Sequence, residues 1–280
     1  MDLVARVRWA AKMPFIDLAL SKRLERAEGN ACLQFAAARR RLYPESGAEW
    51  IRQARAYVVF DGAESPATQT FGLGLFEALT PAALDAIEKF FRDRGAPVLH
   101  EVSPFAGVAA YELLCARNYR PCEISNVLYR PIDDEPGAIP PHISVRVVGS
   151  EEAELWAKTN ARGWANERPE FEAFLLQMGA IICAREGSPS FLAAIEGQAG
   201  AAGSLAIHEG VALFAGAATV PEMRRRGLQS ALLCARLAYA QEHGCDLAMM
   251  VAEPGSESQR NAERSGFRVA YTRIKWRLQA

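Results

Sequence analysis

The second half of the chain alternates between strand-like and helix-like spacings of apolar residues. Period-2 or continuous apolar runs predict five strands followed by a terminal one, over 143–148, 191–195, 201–208, 211–219, 247–251 and 267–278. Apolar residues at helical spacing predict helices that begin at Ser150, near Glu170, after Gly227 and at Ser256. The predicted order is a strand, two helices, three antiparallel strands, and then helix, strand, helix and strand.

The first half repeats much of this order. A helical pattern covers 16–42, with a break predicted at Gly29-Asn30 because glycine and asparagine disfavour helix interiors. Strands, helices and a last strand are then predicted over 56–60, 70–76, 82–94, 98–102, 107–116 and 118–129. The shared order indicates an internal duplication.

A proline-rich connector separates the two halves. Pro131 to Pro141 reads as a semi-rigid exposed linker, which predicts two domains, 1–138 and 139–280. The predicted fold class is α+β (mixed α/β), with each domain a mixed, mostly antiparallel sheet flanked by helices.

Composition excludes several classes of function. Lys plus Arg number 32 against 33 for Asp plus Glu, which argues against a general nucleic-acid binder. The six cysteines form no C-x-x-C pair and no cluster with histidine at zinc spacing, so no metal site is predicted. No apolar run reaches 18 residues and charges interrupt the N-terminal segment, which predicts a soluble cytoplasmic protein without membrane contact.

The most informative stretch is a basic glycine turn between the strand 211–219 and the helix that follows. Arg224-Arg225-Arg226-Gly227 stands where the helix begins. The start of a helix presents unpaired backbone N–H groups and partial positive charge, and three arginines add to both. The turn is therefore a candidate pyrophosphate site, although a solvated basic turn that only begins a helix remains the alternative.

This stretch resembles the acyl-CoA loop of the GNAT superfamily of N-acetyltransferases, [Q/R]-x-x-G-x-[G/A]. Arg224 and Gly227 match that pattern, and Gln229 replaces its last small residue. The order of elements over 143–280 also resembles a complete GNAT domain. The resemblance implies acetyl-CoA as acyl donor and a small-molecule or peptide amine as acceptor, with the oligomeric state open between monomer and homodimer.

The resemblance also assigns roles to individual residues. It implies that the cofactor contacts the strand end, the turn and the last helix, at Ala218, Thr219, Val220, Arg224, Arg225, Arg226, Gly227, Leu228, Gln229, Ser230, Ser256 and Asn261. The amide of Val220 is expected near the thioester carbonyl, as an oxyanion donor. Ser256 has an alternative role as a helix N-cap.

The general acid and base cannot be assigned in the same way. Many GNAT enzymes have a tyrosine acid where this chain has Ala262, so the catalytic residues stay unknown. Glu253 is the best-placed candidate base, with a plain surface carboxylate as its alternative. The acceptor wall is expected at Trp164, Glu167 and Arg168, although Trp164 could equally be a core residue.

The first half resembles a degenerate copy. Where the basic turn should lie it has Glu77-Ala78-Leu79-Thr80-Pro81, and the carboxylate of Glu77 would repel a pyrophosphate, so no CoA is expected there. These departures leave a second hypothesis, a catalytically inactive CoA-binding or regulatory module. A third, a nucleic-acid binder that uses Arg224–Arg226 and Arg39–Arg41, is disfavoured by the near-neutral net charge.

Overall fold

The computed structural model describes residues 13–132, 137–164 and 172–279. The first half contains α1 (Leu18–Leu42), β1 (Glu49–Gln53), β2 (Ala56–Phe60), β3 (Gln69–Phe71), α2 (Pro81–Arg92), β4 (Leu99–Val102), α3 (Val108–Ala116) and β5 (Tyr119–Pro131). The second half contains β6 (Ile143–Val147), α4 (Ala153–Trp164), α5 (Glu172–Cys183), β7 (Ser190–Ile195), β8 (Gln198–His208), β9 (Val211–Thr219), α6 (Leu228–Glu242), β10 (Leu247–Ala252), α7 (Glu257–Arg264) and β11 (Arg268–Leu278). The mixture of helices with one large mixed sheet confirms the predicted fold class.

All the strands of the described residues form one sheet, and its order reveals the duplication. The order is β1-β2-β3-β4-β11-β5-β10-β9-β8-β7-β6. If β1 to β5 are matched in sequence with β7 to β11, this order reads the same from either end, with β6 as an extra edge strand. Pairing directions agree as well, because β3–β4 and β9–β10 are both parallel. The two halves are therefore related by an approximate two-fold axis between β11 and β5.

The two halves exchange their last strands at this axis. β5 comes from the first half, but it pairs with β10 and β11, both antiparallel. β11 comes from the second half and reaches across to pair with β4, with Trp276 opposite His100. Each half thus supplies a strand to the other half's part of the sheet.

Helix α1 lies against one face of the sheet and contacts both halves. Its residues Leu24 and Ala31 pack in a buried cluster with Val211 and Leu213 of β9. Further along the same helix, Ala36 packs with aromatic and aliphatic residues of β2 and β3. Helices α4 and α5 cover the same face. Trp156 of α4 packs on Leu192 and Ala202, whose side chains point away from the strand residues that contact α6.

The opposite face carries the remaining helices. Leu228, Ala231 and Leu232 of α6 pack on Leu205 and Phe214. In the first half α2 and α3 cover β2 and β4 in a similar cluster around Leu84, Phe91 and Trp276. The α6 cluster fixes the start of α6 against the end of β9, where the basic turn lies.

Three details of the predicted elements are wrong. α1 does not break at Gly29: an added Cβ there would lie 2.5 Å from the ring of Tyr57, so the glycine permits a close approach within a continuous helix. β3 ends at Phe71 rather than near residue 76, since Gly72 and Gly74 adopt left-handed conformations. Ser150 does not cap α4 but begins a short 3-10 turn, Ser150–Glu152.

Candidate acyl-CoA site

A cleft opens where β9 and β10 separate. The two parallel strands pair only over Leu247↔Val211, Ala248↔Ala212 and Met249↔Leu213. Beyond that point β9 continues to Thr219 along β8, whereas β10 continues to Ala252 along β5. The backbone edge of β9 that faces the cleft is left without a strand partner, so it can accept an extended ligand as an added strand.

A bulge in β9 lies at the beginning of this separation. The register with β8 shifts between Ala202 and Ser204, and the extra residue is in the Gly216–Ala217 segment of β9. Gly216 has φ of 58°, and its carbonyl accepts a 2.6 Å hydrogen bond from Asn160 Nδ2 of α4. Helix α4 therefore holds the bulge in place.

The basic turn presents a row of free amides. Arg225 has φ of 63° and Gly227 has φ of 87°, which turns the chain sharply into α6. Gly227 is the N-cap residue and provides no side-chain cap. Within the described chain, no acceptor takes a hydrogen bond from the amides of residues 225–230. These unpaired N–H groups at a helix N-terminus favour a phosphate.

The three arginines of the turn have two different roles. Arg224 donates to Thr219 O at 3.3 Å and to Gly163 O at 3.1 Å, which ties the turn to the end of α4. Arg225 and Arg226 are exposed, as are Gln229 and Ser230, whereas Leu228 is buried. The two exposed guanidiniums are thus available to an anion, and Arg224 has a structural role as well.

The expected role of the Val220 amide is wrong. Val220 N–H donates to Gly200 O at 2.9 Å, and the residue is buried, so this amide is not available to an oxyanion. Successive amides of a strand point to opposite edges, so the N–H of Thr219 faces the cleft instead. The oxyanion donor suggested by this geometry is one residue earlier than the sequence indicated.

Helix α7 borders the cleft from the side of β10. Ser256 is its N-cap, because Ser256 Oγ accepts a hydrogen bond from Gln259 N at 3.2 Å. Ser256 therefore has the N-cap role that the sequence offered as an alternative to cofactor contact. Asn261 is exposed on α7. Ala262 is buried in the α6 cluster, so no group at the tyrosine position can donate a proton.

The remaining predicted residues lie around the cleft mouth. Glu253 follows β10 directly and is exposed, and Trp164, with 56% of its surface exposed, is not a core residue. Glu167 and Arg168 lie outside the described residues. Gly163 brings the end of α4 against β9, since an added Cβ would lie 2.5 Å from Ala218 Cβ.

The equivalent cleft in the first half is filled. Beyond β3, an added Cβ on Gly74 would lie 3.2 Å from Ala110 Cβ and 3.3 Å from Ala106 Cβ, so the start of α3 packs where the second half has its opening. The start of α2 is also occupied, because Thr80 Oγ1 accepts from Ala83 N and Pro81 has no N–H. The chain's own atoms thus occupy both places, and the absence of CoA from this half stays a prediction.

Two polar residues beside the cleft escaped the sequence analysis. Arg185, just after α5, donates from Nη2 to Ser204 Oγ at 3.2 Å, and Ser204 Oγ donates to Ala215 O at 3.1 Å. Ala215 is exposed on the α1 face of β9. No periodicity or motif marks a lone arginine after a helix, so only the fold could reveal this group.

The described residues provide neither a metal site nor a membrane-spanning helix. No group of three or more His, Cys, Asp or Glu side chains among them could hold a metal ion. None of the helices described there has the length and apolar character needed to cross a bilayer.

Solved structures resemble the chain over most of its length. A GCN5-related N-acetyltransferase from Kribbella flavida has a TM-score of 0.61 at 19% identity, covering 88% of this chain and 94% of its own. A functionally unknown conserved protein from Staphylococcus epidermidis ATCC 12228 has a TM-score of 0.60 at 8% identity, with coverages of 86% and 96%. A tandem GNAT protein from the clavulanic acid biosynthesis pathway has a TM-score of 0.56 at 15% identity, with coverages of 79% and 77%. No protein-family model and no curated sequence matches the chain.

Proposed function

We propose, from the tandem GNAT fold that this chain shares with those structures, that it is an N-acetyltransferase that moves an acetyl group from acetyl-CoA to an amine. The observation that carries this proposal is the combination of the open edge of β9 with the free amides of residues 225–230 at its end. In this proposal 139–280 is the active domain and 1–138 a degenerate one. The second half retains both parts of the cleft, whereas packing fills the equivalent space in the first half.

The residues of the cleft fit an acyl-CoA. The amides of 225–230, with the exposed side chains of Arg225 and Arg226, would hold the pyrophosphate, and the edge of β9 at Ala218 and Thr219 would pair with the pantetheine amides. Asn261 would contact the cofactor from α7. When bound, the cofactor supplies an activated acetyl thioester.

Two groups of the chain are proposed for the chemistry. The Thr219 N–H would donate to the carbonyl oxygen as negative charge develops there, a contribution of about 3 kcal/mol for a donor of this kind. Glu253, exposed after β10, would take the proton of the attacking amine, directly or through water. Since Ala262 is buried, the leaving thiolate would take its proton from solvent.

Thermal unfolding in increasing acetyl-CoA tests the cofactor. At a hundredfold excess over Kd the ligand stabilises the folded protein by about 2.7 kcal/mol, which corresponds to a rise in Tm of several degrees. The double variant Arg225→Ala/Arg226→Ala removes two exposed cations and is expected to raise Kd about 10- to 30-fold. Arg40→Ala, an exposed arginine on α1, is the matched control and should leave Kd unchanged.

Turnover then separates the enzyme from the inactive module. Release of free CoA that depends on an added amine supports the acetyltransferase. A saturable rise in Tm without turnover of any amine would favour a CoA-binding module, and no rise at millimolar acetyl-CoA would reject the site itself.

A further inference from the structure

The turn that follows β10 carries Glu253 and has a tightly restricted backbone. Glu253-Pro254-Gly255-Ser256 closes with a hydrogen bond from Ser256 N to Glu253 O at 3.2 Å, and Gly255 has φ of 77°. Proline and glycine at these two positions are the signature of a type II turn. Proline also fixes its own φ and restricts the residue before it to extended conformations. The turn therefore has little freedom to move while its two ends are held.

The carboxylate of Glu253 depends on this backbone for its direction. Glu253 is exposed, and within the described ranges of the chain its side chain makes no hydrogen bond or ion pair. Its position relative to the cleft therefore follows from how the ends of the turn are held.

Asn126 of β5 holds the first end of the turn. Its backbone pairs with Ala252, the last residue of β10 and the one directly before Glu253. Asn126 is 6% exposed, and its side chain lies on the face that α6 covers, as that of Leu128 does. Since β5 belongs to the first half of the chain, the exchanged strand supports the strand end beside Glu253.

The side chain of Asn126 also supports the other end of the turn, through Gln259 of α7. Asn126 Nδ2 donates to Gln259 Oε1 at 3.2 Å, and the same oxygen accepts from Gly255 N at 2.8 Å. Thr272 Oγ1 of β11 donates to Asn126 Oδ1 at 2.7 Å. Because a backbone N–H can only donate, Gln259 must present its oxygen to the turn, and Asn126 must present Nδ2 to that oxygen. The amide of Asn126 thus has one fixed orientation.

The first half provides an internal comparison, because a residue followed by proline comes after β4 as well. Ser103 stands there in place of Glu253, and its buried hydroxyl lies 3.2 Å from Ser21 Oγ of α1. Ile274 of β11 pairs with the last residue of β4, the position that Asn126 has beside β10. The half with the filled cleft therefore has neither the carboxylate nor the amide, whereas the half with the open cleft has both.

We infer that Asn126 is a positioning residue for Glu253, so that the first half contributes to the active site of the second. Asn126 acts on the reaction only through the turn, because it supports both ends of the segment from which Glu253 extends. The effect on catalysis rests on the proposed function, in which Glu253 takes the proton of the amine. The support of the turn does not rest on it.

Hydrogen exchange tests this support without CoA or an acceptor. Asn126→Ala removes the donor to Gln259 and is expected to speed amide exchange over 253–256 about 5-fold, the change expected for the loss of one hydrogen bond. Exchange over 211–219 should stay the same. Ser125→Ala is the matched control, since Ser125 is also 6% exposed, lies on the opposite face of β5 and has no side-chain partner among the described residues. Equal exchange in the two variants would overturn the inference.

Kinetics test the consequence for catalysis. Asn126→Ala should lower kcat about 10-fold and leave the Kd of acetyl-CoA unchanged, because α7 keeps its Ser256 cap. When Asn126→Ala is added to Glu253→Gln, kcat should fall no further, since the base that would be displaced is already absent. A second decrease of the same size would show that Asn126 acts on the fold and not through Glu253, and would overturn the inference.

Thr272→Val tests the same support with less disturbance of the core. Thr272 is exposed, and valine keeps its branched shape but lacks the hydroxyl that orients the Asn126 amide. This variant is expected to speed exchange over 253–256 and to lower kcat, each about 3-fold. Exchange and kcat at wild-type values would contradict the role assigned to Asn126.

Failure of the proposed function gives a different result from failure of this role. If the wild-type protein acetylates no amine, the proposed function is wrong, and faster exchange in Asn126→Ala still supports the anchoring of the turn. Normal turnover with unchanged exchange would overturn the anchoring and keep the acetyltransferase. Full kcat in Glu253→Gln would overturn the positioning role, because Asn126 would then have no base to position.

Discussion

At the residue scale, the conformation of Gly227 decides the shape of the basic turn. Its φ of 87° lies in the left-handed region, where side chains with a Cβ are strained, and an added Cβ would lie 3.3 Å from Ile143 Cδ1. Arg225 adopts a similar conformation in spite of its side chain. Turns with left-handed residues can direct neighbouring N–H groups toward a bound anion.

Replacement of Gly227 tests this geometry. Gly227→Val is expected to destabilise the fold by about 1–2 kcal/mol and to raise the Kd of acetyl-CoA at least 10-fold, because a β-branched residue resists positive φ. Gly227→Asn is the matched control, since asparagine tolerates this conformation, and should lose much less affinity. Calorimetric titration and thermal unfolding of both variants provide the measurements; equal affinities would show that the turn does not hold the cofactor.

Part of the candidate site could be predicted from residue identities alone. Gly227 and the arginines were predictable because a basic glycine turn before a helix has a direct physical meaning. The choice between the Thr219 and Val220 amides was not, since it depends on which edge of β9 faces β8. Arg185 was not predictable either, because its hydrogen bond to Ser204 joins residues that only the packed fold brings together.

At the element scale, α1 carries a buried ionic cluster on the face that meets β11. Arg273 contacts Glu25 at 3.3 Å and Glu28 at 2.5 Å, and its Nε lies 3.4 Å from Glu101 of β4. Burial raises the pKa of Glu25 from its ordinary value near 4.5 to about 7, with neighbouring carboxylates adding to the effect of burial and Arg273 opposing it. The cluster joins α1 to strands of both halves.

This pKa predicts a pH dependence of stability. Between pH 4.5 and 7 the unfolded chain loses the Glu25 proton whereas the folded protein keeps it, so stability falls as pH rises through this window. The contribution is about 3 kcal/mol by the usual conversion. Glu25→Gln, which keeps an oxygen acceptor for Tyr271, should remove this slope; urea unfolding at pH 5 and pH 8 measures it. Identical slopes in both proteins would contradict the assignment.

The pattern of apolar residues predicted most helices and strands but not the contacts that α1 makes with the rest of the fold. The helical spacing predicted the length of α1. The break was wrongly predicted from Gly29, whose role in packing depends on the ring of Tyr57 in β2. Arg39 belongs to the basic run near the end of α1, yet it is buried and donates from Nε to Asp61 Oδ1 at 2.7 Å. Such contacts join residues far apart in sequence, so local periodicity cannot reveal them.

At the scale of the whole molecule, the exchanged strands make the two halves interdependent. In the part of the chain that the structure describes, the strands that pair with β5 are β10 and β11, both from the second half. We propose that the chain is a monomer, because the β5–β11 contact already relates two similar halves about an approximate two-fold axis. The duplication was predictable from the order of elements, but the exchange was not, since the apolar pattern of a strand does not specify which neighbouring strand it pairs with.

Cleavage of the connector tests the interdependence. A protease site placed at 137–140 should be cut without dissociation of the two fragments, because separation would break the pairings of β5 and of β11 with β4. Size-exclusion chromatography after cleavage is expected to show a single species of the original size, with one cooperative unfolding transition. Two separately folded fragments would indicate that each half keeps its own last strand.

The position of β5 also constrains how the protein can be made. When a ribosome has completed the first half, β5 has no partner strand, and the edge of β4 that β11 will cover is still open. β11, at residues 268–278, emerges long after β4, so the first half must wait for most of the second half before its sheet is closed. An open edge in a partly made chain invites pairing with other chains. Synthesis of this protein therefore depends on keeping nascent chains apart until β11 has emerged and paired with β4.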